Sequence, residues 1–225
     1  MQLVNSDMKN FEIAEVLRQV IRSGPVVPVI VIHDLAKALP LAQALHEAGL
    51  RVLEITLRTP CAWEAIEMLR KNFPDMFIGA GTLRHPDQVR RVIHAGAQFA
   101  VSPGYGSVLA EVCNREGLAL LPGIASAGEL MQANRDGFYF VKLFPAEAIG
   151  GQKLIQSLAS PFAETMFCPT GGINAVKAAD YLALANVACV GGSWMLPADA
   201  IEAGDWARIR ALASAAQSLT RLNAN

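Results

Sequence analysis

The chain alternates short apolar runs with longer stretches in which apolar residues recur every three or four positions. The runs Val26–Ile32, Val52–Leu57, Phe77–Ala80, Phe99–Val101, Ala119–Leu121, Phe138–Phe144, Thr165–Cys168 and Val187–Val190 read as strands. Between them Leu35–Ala48, Ala62–Lys71, Pro86–Ala95, Ser107–Glu116, Ala127–Arg135, Gln152–Ala159 and Ala175–Leu184 carry helical spacing. Asn10–Arg22 reads as an extra helix ahead of the first strand and Trp206–Leu222 as a closing one. Apolar strands joined by helices imply a parallel sheet covered on both faces, and eight such units can close on themselves. The expected fold is therefore α/β, a (β/α)8 TIM barrel with an extra N-terminal helix, as a single domain over residues 1–225. An open doubly wound sheet is the alternative, although Gly-Ala-Gly-Thr at 79–82 falls short of a full dinucleotide fingerprint.

In a parallel barrel, chemistry gathers where strands end and βα loops begin. The run LEITLR alternates so that Glu54, Thr56 and Arg58 share one face and Leu53, Ile55 and Leu57 the other. If the aliphatic set packs under helices, the polar set points inward, where an unpaired charge is costly and calls for a partner or a ligand. A structural Glu/Arg pair would also satisfy this pattern. Phe138, Phe140, Lys142 and Phe144 share a face of the sixth strand, placing one ammonium in a row of phenyl rings. A lysine sheltered from water, or set beside another cation such as Arg58, is the kind that supplies a free amine to attack a ketone. A lysine snorkelling past the rim is the bland reading of the same residue.

Two glycine pairs follow the last two expected strands: Thr170-Gly171-Gly172, and Gly191-Gly192 before Ser193. These are the loops where barrels commonly hold phosphate, because glycine lets main-chain amides approach an anion and a helix start adds its own N–H groups. Tight turns alone would also account for either pair. Asn174 is placed to cap the helix that follows the first. Thr82 offers a hydroxyl at the same rim, or a cap for the HPDQ segment, and His33 at the end of the first strand reads as a turn residue.

Composition narrows the class of function. Charged residues are only 17% of the 225, against roughly 25% in soluble domains, which suggests extra buried surface and hence a homo-oligomer. A net charge of -1 without a basic run gives no reason to expect a nucleic acid or a membrane, leaving a small molecule as partner. The N-terminus has no basic start leading into an apolar core, so a cytoplasmic location is expected. The four histidines lack H-x-H or H-E-x-x-H spacing and the four cysteines lack C-x-x-C, so no metal or redox site is expected.

GPVVPVI (24–30), RVLEITLRT (51–59), GAGT (79–82), AGAQFAVSPG (95–104), LPGI (121–124), KLFPAE (142–147), CPTGGI (168–173) and GGSW with PADAIEAGD (191–205) follow one another along nearly the whole chain. In that order they closely resemble the 2-keto-3-deoxy-6-phosphogluconate (KDPG) aldolases of the Entner–Doudoroff pathway. The match is weakest before Gly24. The resemblance implies a metal-free, cofactor-free class I aldolase, a homotrimer, acting on a phosphorylated keto-acid, with 4-hydroxy-2-oxoglutarate as a second substrate. It further implies that Lys142 forms the Schiff base, Glu54 is the general acid/base, and Arg58 with Thr82 holds the pyruvyl carboxylate. Pro103 and Phe144 would line the pocket, while Thr170, Gly171, Gly172, Gly191, Gly192 and Ser193 would surround the phosphate. An isomerase or epimerase using Glu54 without a covalent lysine is the rival of a different class, and an aldolase for the galactonate epimer is a rival of the same class.

Overall fold

The computed structural model describes residues 13–221. The apolar runs give strands β1 (Val26–Ile30), β2 (Val52–Thr56), β3 (Phe77–Gly81), β4 (Phe99–Val101), β5 (Ala119–Leu121), β6 (Gly123–Ile124), β7 (Phe140–Leu143), β8 (Met166–Pro169) and β9 (Val190–Gly192). Every pairing is parallel: one sheet has the order β5-β4-β3-β2-β1-β9 and the other β6-β7-β8. Isolated parallel bridges Phe167↔Val187 and Thr170↔Gly191 join the far edges of the two sheets.

The helices are α1 (residues 13–22), α2 (Ala38–Glu47), α3 (Ala62–Asn72), α4 (Val89–His94), α5 (Ser107–Glu116), α6 (Ala127–Arg135), α7 (Gly151–Ala159), α8 (Ala175–Leu182), α9 (Ala198–Ala203) and α10 (Trp206–Gln217). Local chemistry sets several of their starts. Ser126, Asn174 and Asp205 each accept from an amide in the first turn of α6, α8 and α10, a cap worth about 1 kcal/mol apiece.

Strand alternation sorts the apolar residues into two cores. Leu53, Ile55, Ile78, Ala80, Val141 and Leu143 face the helices in the larger one. Val27, Val52, Phe99, Val101, Leu121 and Cys168 face the other way, and Leu17, Val20 and Ile21 of α1 complete that smaller core on the inner side of the curled sheet. Among the described residues no helix is long and apolar enough to cross a membrane.

Several boundaries differ from those expected. The fifth strand is broken into β5 and β6 because Pro122 has no amide for the ladder. The first turns of two expected helices are 3-10 helices, Leu35–Lys37 and Pro86–Gln88, and Ala146–Ile149 forms a third where no element was expected. The six-residue α9 was also unforeseen, being too short for its period to register. Phe138 leaves the row of rings expected on the sixth strand. The chain turns at Gly137 (φ +92°), so the strand starts only at Phe140, and Phe138 packs in the helix-side core near Tyr105, ring centroids 6.2 Å apart. Residues 10–12 and 222 of the expected terminal helices lie outside the described residues.

Candidate active site

The inner face of β2 is formed by Val52, Glu54 and Thr56, and that of β7 by Phe140 and Lys142. Although 88 positions apart, Lys142 Nζ donates to Glu54 Oε1 at 3.2 Å. Only 5% of Lys142 and 3% of Glu54 are exposed. Taking two charges out of water is costly, and removing either partner of such a pair leaves the other uncompensated, typically at about 3–5 kcal/mol. The neighbours explain how the pair fits. Gly79 and Gly81 stand opposite Glu54 and Thr56 on β3, and a Cβ on Gly81 would lie 2.3 Å from Glu54 Oε1. The glycines of GAGT therefore serve close approach, a reason invisible until the register of β2 against β3 is known. Within its own sheet Lys142 is flanked in register by Gly123 on β6 and Cys168 on β8, and the Phe144 ring centroid lies 5.4 Å from Nζ.

Because all the strands are parallel, the residues just beyond their C-terminal ends share one rim. Thr56 is buried on β2 and donates to the Ile30 carbonyl at 2.9 Å. Arg58 does not continue that face: β2 ends at Thr56, the next two residues form a turn, and Arg58 is exposed at the rim. Its Nε donates to Thr82 Oγ1 at 3.1 Å, bringing together the two residues expected to hold a carboxylate. Thr82 has φ +61°, a left-handed backbone that is rare for a β-branched residue and costs of order 1–3 kcal/mol. It does not cap the following turn; Gln88 Oε1 does that by accepting from the His85 amide. Pro103 lies in the half-buried loop after β4, its main chain against Gly123, where a Cβ would come within 2.4 Å of it.

After β8, Thr170 is buried and Gly171 and Gly172 take φ +105° and +76°. The Thr170 and Gly171 carbonyls accept from the Ala146 and Glu147 amides at 2.8 and 3.2 Å. Among the described residues no carbonyl accepts from the Gly171 or Gly172 amide. Two successive main-chain donors thus stand beside the capped start of α8, the makings of an anion site. The second glycine pair differs from expectation. Gly191 and Gly192 lie within β9 rather than after it, and a Cβ there would strike Thr170 Oγ1 at 2.2 Å and the Trp194 ring at 2.0 Å. Packing accounts for both. Ser193 is exposed at the same rim and lines a cavity of about 220 Å³ with Val29, His33 and Lys37, the last paired with Glu202 at 2.7 Å.

Two features had no signal in the linear sequence. Cys168 lies beside Lys142, and Cys189 shares the same inner core. A hydrogen bond to Cys168, reinforced by burial, holds the Cys189 thiol well above its ordinary pKa. Glu147 is bound by Lys177 at 2.5 Å and by the Tyr181 hydroxyl at 2.6 Å, and its carboxyl is held below the usual range by these hydrogen bonds, that of Lys177 first. Among the described residues no group of three or more His, Cys, Asp or Glu side chains is placed to hold a metal.

Comparison with known proteins identifies the family of the chain. The family described as KDPG and KHG aldolase matches residues 17–212. The 2-dehydro-3-deoxy-phosphogluconate aldolase of Dickeya dadantii (strain 3937) is 50% identical over 206 residues, covering 92% of this chain and 96% of that protein. The KHG/KDPG aldolase of Escherichia coli (strain K12) is 48% identical with the same coverage. Among solved structures, the KDPG aldolase of Legionella pneumophila, with pyruvate captured at low pH as a covalent carbinolamine intermediate, superimposes with a TM-score of 0.87. It is 47% identical, over 88% of this chain and 97% of that one. With nearly its whole length matched in sequence and fold, and a buried lysine and glutamate in contact at its centre, the chain belongs to the KDPG and KHG aldolase family.

Proposed function

We propose that this chain is a class I aldolase that cleaves 2-dehydro-3-deoxy-6-phosphogluconate to pyruvate and D-glyceraldehyde 3-phosphate through a Schiff base on Lys142. The observation that carries the reading is the Lys142 amine, sheltered on the inner face and 3.2 Å from the Glu54 carboxylate. The names of the relatives and the covalent pyruvate adduct of the Legionella protein support it.

Glu54 takes a proton from the Lys142 ammonium as the amine adds to the C2 ketone, then returns it to the departing hydroxyl as the carbinolamine loses water. The resulting iminium is positive, as the ammonium was, so the buried carboxylate keeps its counter-charge. Glu54 next accepts the C4 hydroxyl proton, directly or through one water, while the C3–C4 bond breaks. Glyceraldehyde 3-phosphate leaves and the electron pair forms an enamine on Lys142. Protonation of C3 by the same carboxyl and addition of water to the iminium release pyruvate and the free lysine. Arg58, with Thr82 beside it, binds the substrate carboxylate through its planar fork and orients the ketone toward the amine. Pro103 and Phe144 wall the pyruvyl end. The phosphate lies among Thr170, Gly171, Gly172, Gly191, Gly192 and Ser193, where the free amides after β8 support the assignment more directly than the packed glycines of β9.

The architecture behind this site is a complete (β/α)8 ring forming a single domain over the chain, with α1 closing its lower end. Supporting it are β5 and β6 counted as one strand, the bridges from Phe167 and Thr170 to Val187 and Gly191, and Leu17, Val20 and Ile21 in the inner core. The enzyme works in the cytoplasm as a homotrimer, and the exposed Val108, Met131 and Val176 are suited to be covered by neighbouring subunits. Cleavage of 4-hydroxy-2-oxoglutarate is a second activity, supported by the KHG name of the family, since it needs the lysine, glutamate and arginine but not the phosphate loop.

Incubation with pyruvate and borohydride tests the central step. A reduced adduct mapped to Lys142, and none in Lys142→Met, is the expected outcome. Cleavage without any adduct, or isomerisation of a phosphosugar with no pyruvate released, would show that Glu54 works alone.

A further inference from the structure

The carboxylate of Glu147 takes no part in the steps above, yet it is bound on every side. Its amide donates to the Gly171 carbonyl at 3.2 Å, and Ala146 just before it donates to the Thr170 carbonyl at 2.8 Å. Its stem fills the space over Gly172, where a Cβ would meet Glu147 Cβ and Cγ at 2.9 Å. Its two oxygens reach across to α8, to Lys177 Nζ at 2.5 Å and to the buried Tyr181 hydroxyl at 2.6 Å. Lys177 Nζ in turn lies 3.5 Å from the Gly172 carbonyl. The carbonyl and N–H of a trans peptide point in opposite directions. Tying back the carbonyls of residues 170, 171 and 172 therefore turns the amides of 171, 172 and 173 the other way, away from Glu147.

We propose that Glu147 is a positioning residue for the phosphate group: clamped by Lys177 and Tyr181, its side chain fixes the 146–147 main chain and the Lys177 ammonium, which together hold the carbonyls of 170–172 so that the next three amides converge on the anion. The inference rests on the reading of Thr170–Gly172 as the phosphate loop. Glu147 also follows Lys142 by only five positions, in the 3-10 helix that leaves β7, so the clamp joins the phosphate end of the substrate to the strand carrying the amine. Binding energy gained at the phosphate is thereby available to align the reacting carbons.

The test compares kcat/KM for 2-dehydro-3-deoxy-6-phosphogluconate with kcat/KM for 4-hydroxy-2-oxoglutarate, which carries no phosphate. In Glu147→Ala the ratio should fall about tenfold, equivalent to about 1.4 kcal/mol, chiefly through a higher KM for the phosphorylated substrate. Tyr181→Phe, which removes one hydroxyl, should shift the ratio the same way by a smaller factor and answers the question should Glu147→Ala not fold. A ratio unchanged in the folded variants, even with both activities reduced, overturns the positioning role, because general damage affects both substrates alike. A wild-type enzyme without preference for the phosphorylated substrate would instead remove the phosphate-loop reading on which the proposal stands.

Discussion

Gly81→Ala is the sharpest perturbation the site offers, because it adds one methyl group directly against Glu54, the proposed general acid/base. The new Cβ would lie 2.3 Å from Glu54 Oε1, 2.6 Å from its Cγ and 2.9 Å from its Cδ. Non-bonded heavy atoms are at rest near ~3.5 Å, so the side chain must retreat by about 1 Å. Rotating the carboxylate does not relieve the overlap at Cγ. The whole side chain has to move, on a strand whose five residues are all buried. Its contact with Lys142 Nζ, 3.2 Å at rest, then lengthens or loses its alignment. Overpacking of this kind costs about 1–3 kcal/mol of stability, and a displacement of about 1 Å in a catalytic group costs on the order of 10²-fold in turnover. Pyruvate release measured beside a thermal melt reads both quantities. Gly79→Ala is the control: its Cβ would strike the Phe99 ring at 2.3 Å rather than Glu54, so stability should fall with a much smaller loss of kcat. Full turnover in a folded Gly81→Ala, or equal losses of kcat in the two variants, would refute the placement of Glu54 as the proton carrier.

Two further outcomes are expected. Thr82→Gly releases backbone strain of about 1–3 kcal/mol against roughly 0.5–1 kcal/mol of added chain entropy, so the melting midpoint should rise while KM for the keto-acid increases; a lower midpoint would mean that the φ of +61° carries no strain. Thiol labelling of the folded enzyme at neutral pH should modify Cys61 alone, since burial pushes Cys113 up to about 12, Cys189 is held well above its ordinary value by Cys168 and burial, and Cys168 is 3% exposed. Rapid modification of Cys189, mapped by peptide mass, would contradict that environment.

The alternation of β2 and β7 was readable in the sequence, since a period of two fixes which residues share a face wherever the strand continues. It placed Glu54 and Lys142 inward correctly and failed at Arg58 and Phe138, both of which lie just outside their strands. Strand ends depend on where the neighbouring strand stops offering partners, which is information held elsewhere in the chain. The same limit hid the reason for Gly81, whose lack of a side chain matters because the Glu54 side chain, reaching over from the neighbouring strand, fills the space a Cβ would take. Glu147 escaped notice because its three partners come from residues 171, 177 and 181, and a single acidic residue near a strand end carries no periodic signal.

The division of the strands into two sheets bears on how this enzyme tolerates change. Glu54 belongs to the sheet of six and Lys142 to the sheet of three, so the contact between them, and the proton path proposed through it, crosses from one body to another. Two seams hold these bodies in place: the break at Pro122, whose carbonyl takes the Lys142 amide at 2.8 Å, and the pair of bridges beside Cys168. A substitution at either seam, touching no substrate, will change the gap between donor and acceptor before it unfolds anything. Activity is thus the more sensitive gauge of damage there, and drift along these seams offers a lineage a way to retune the catalyst without altering its reacting groups.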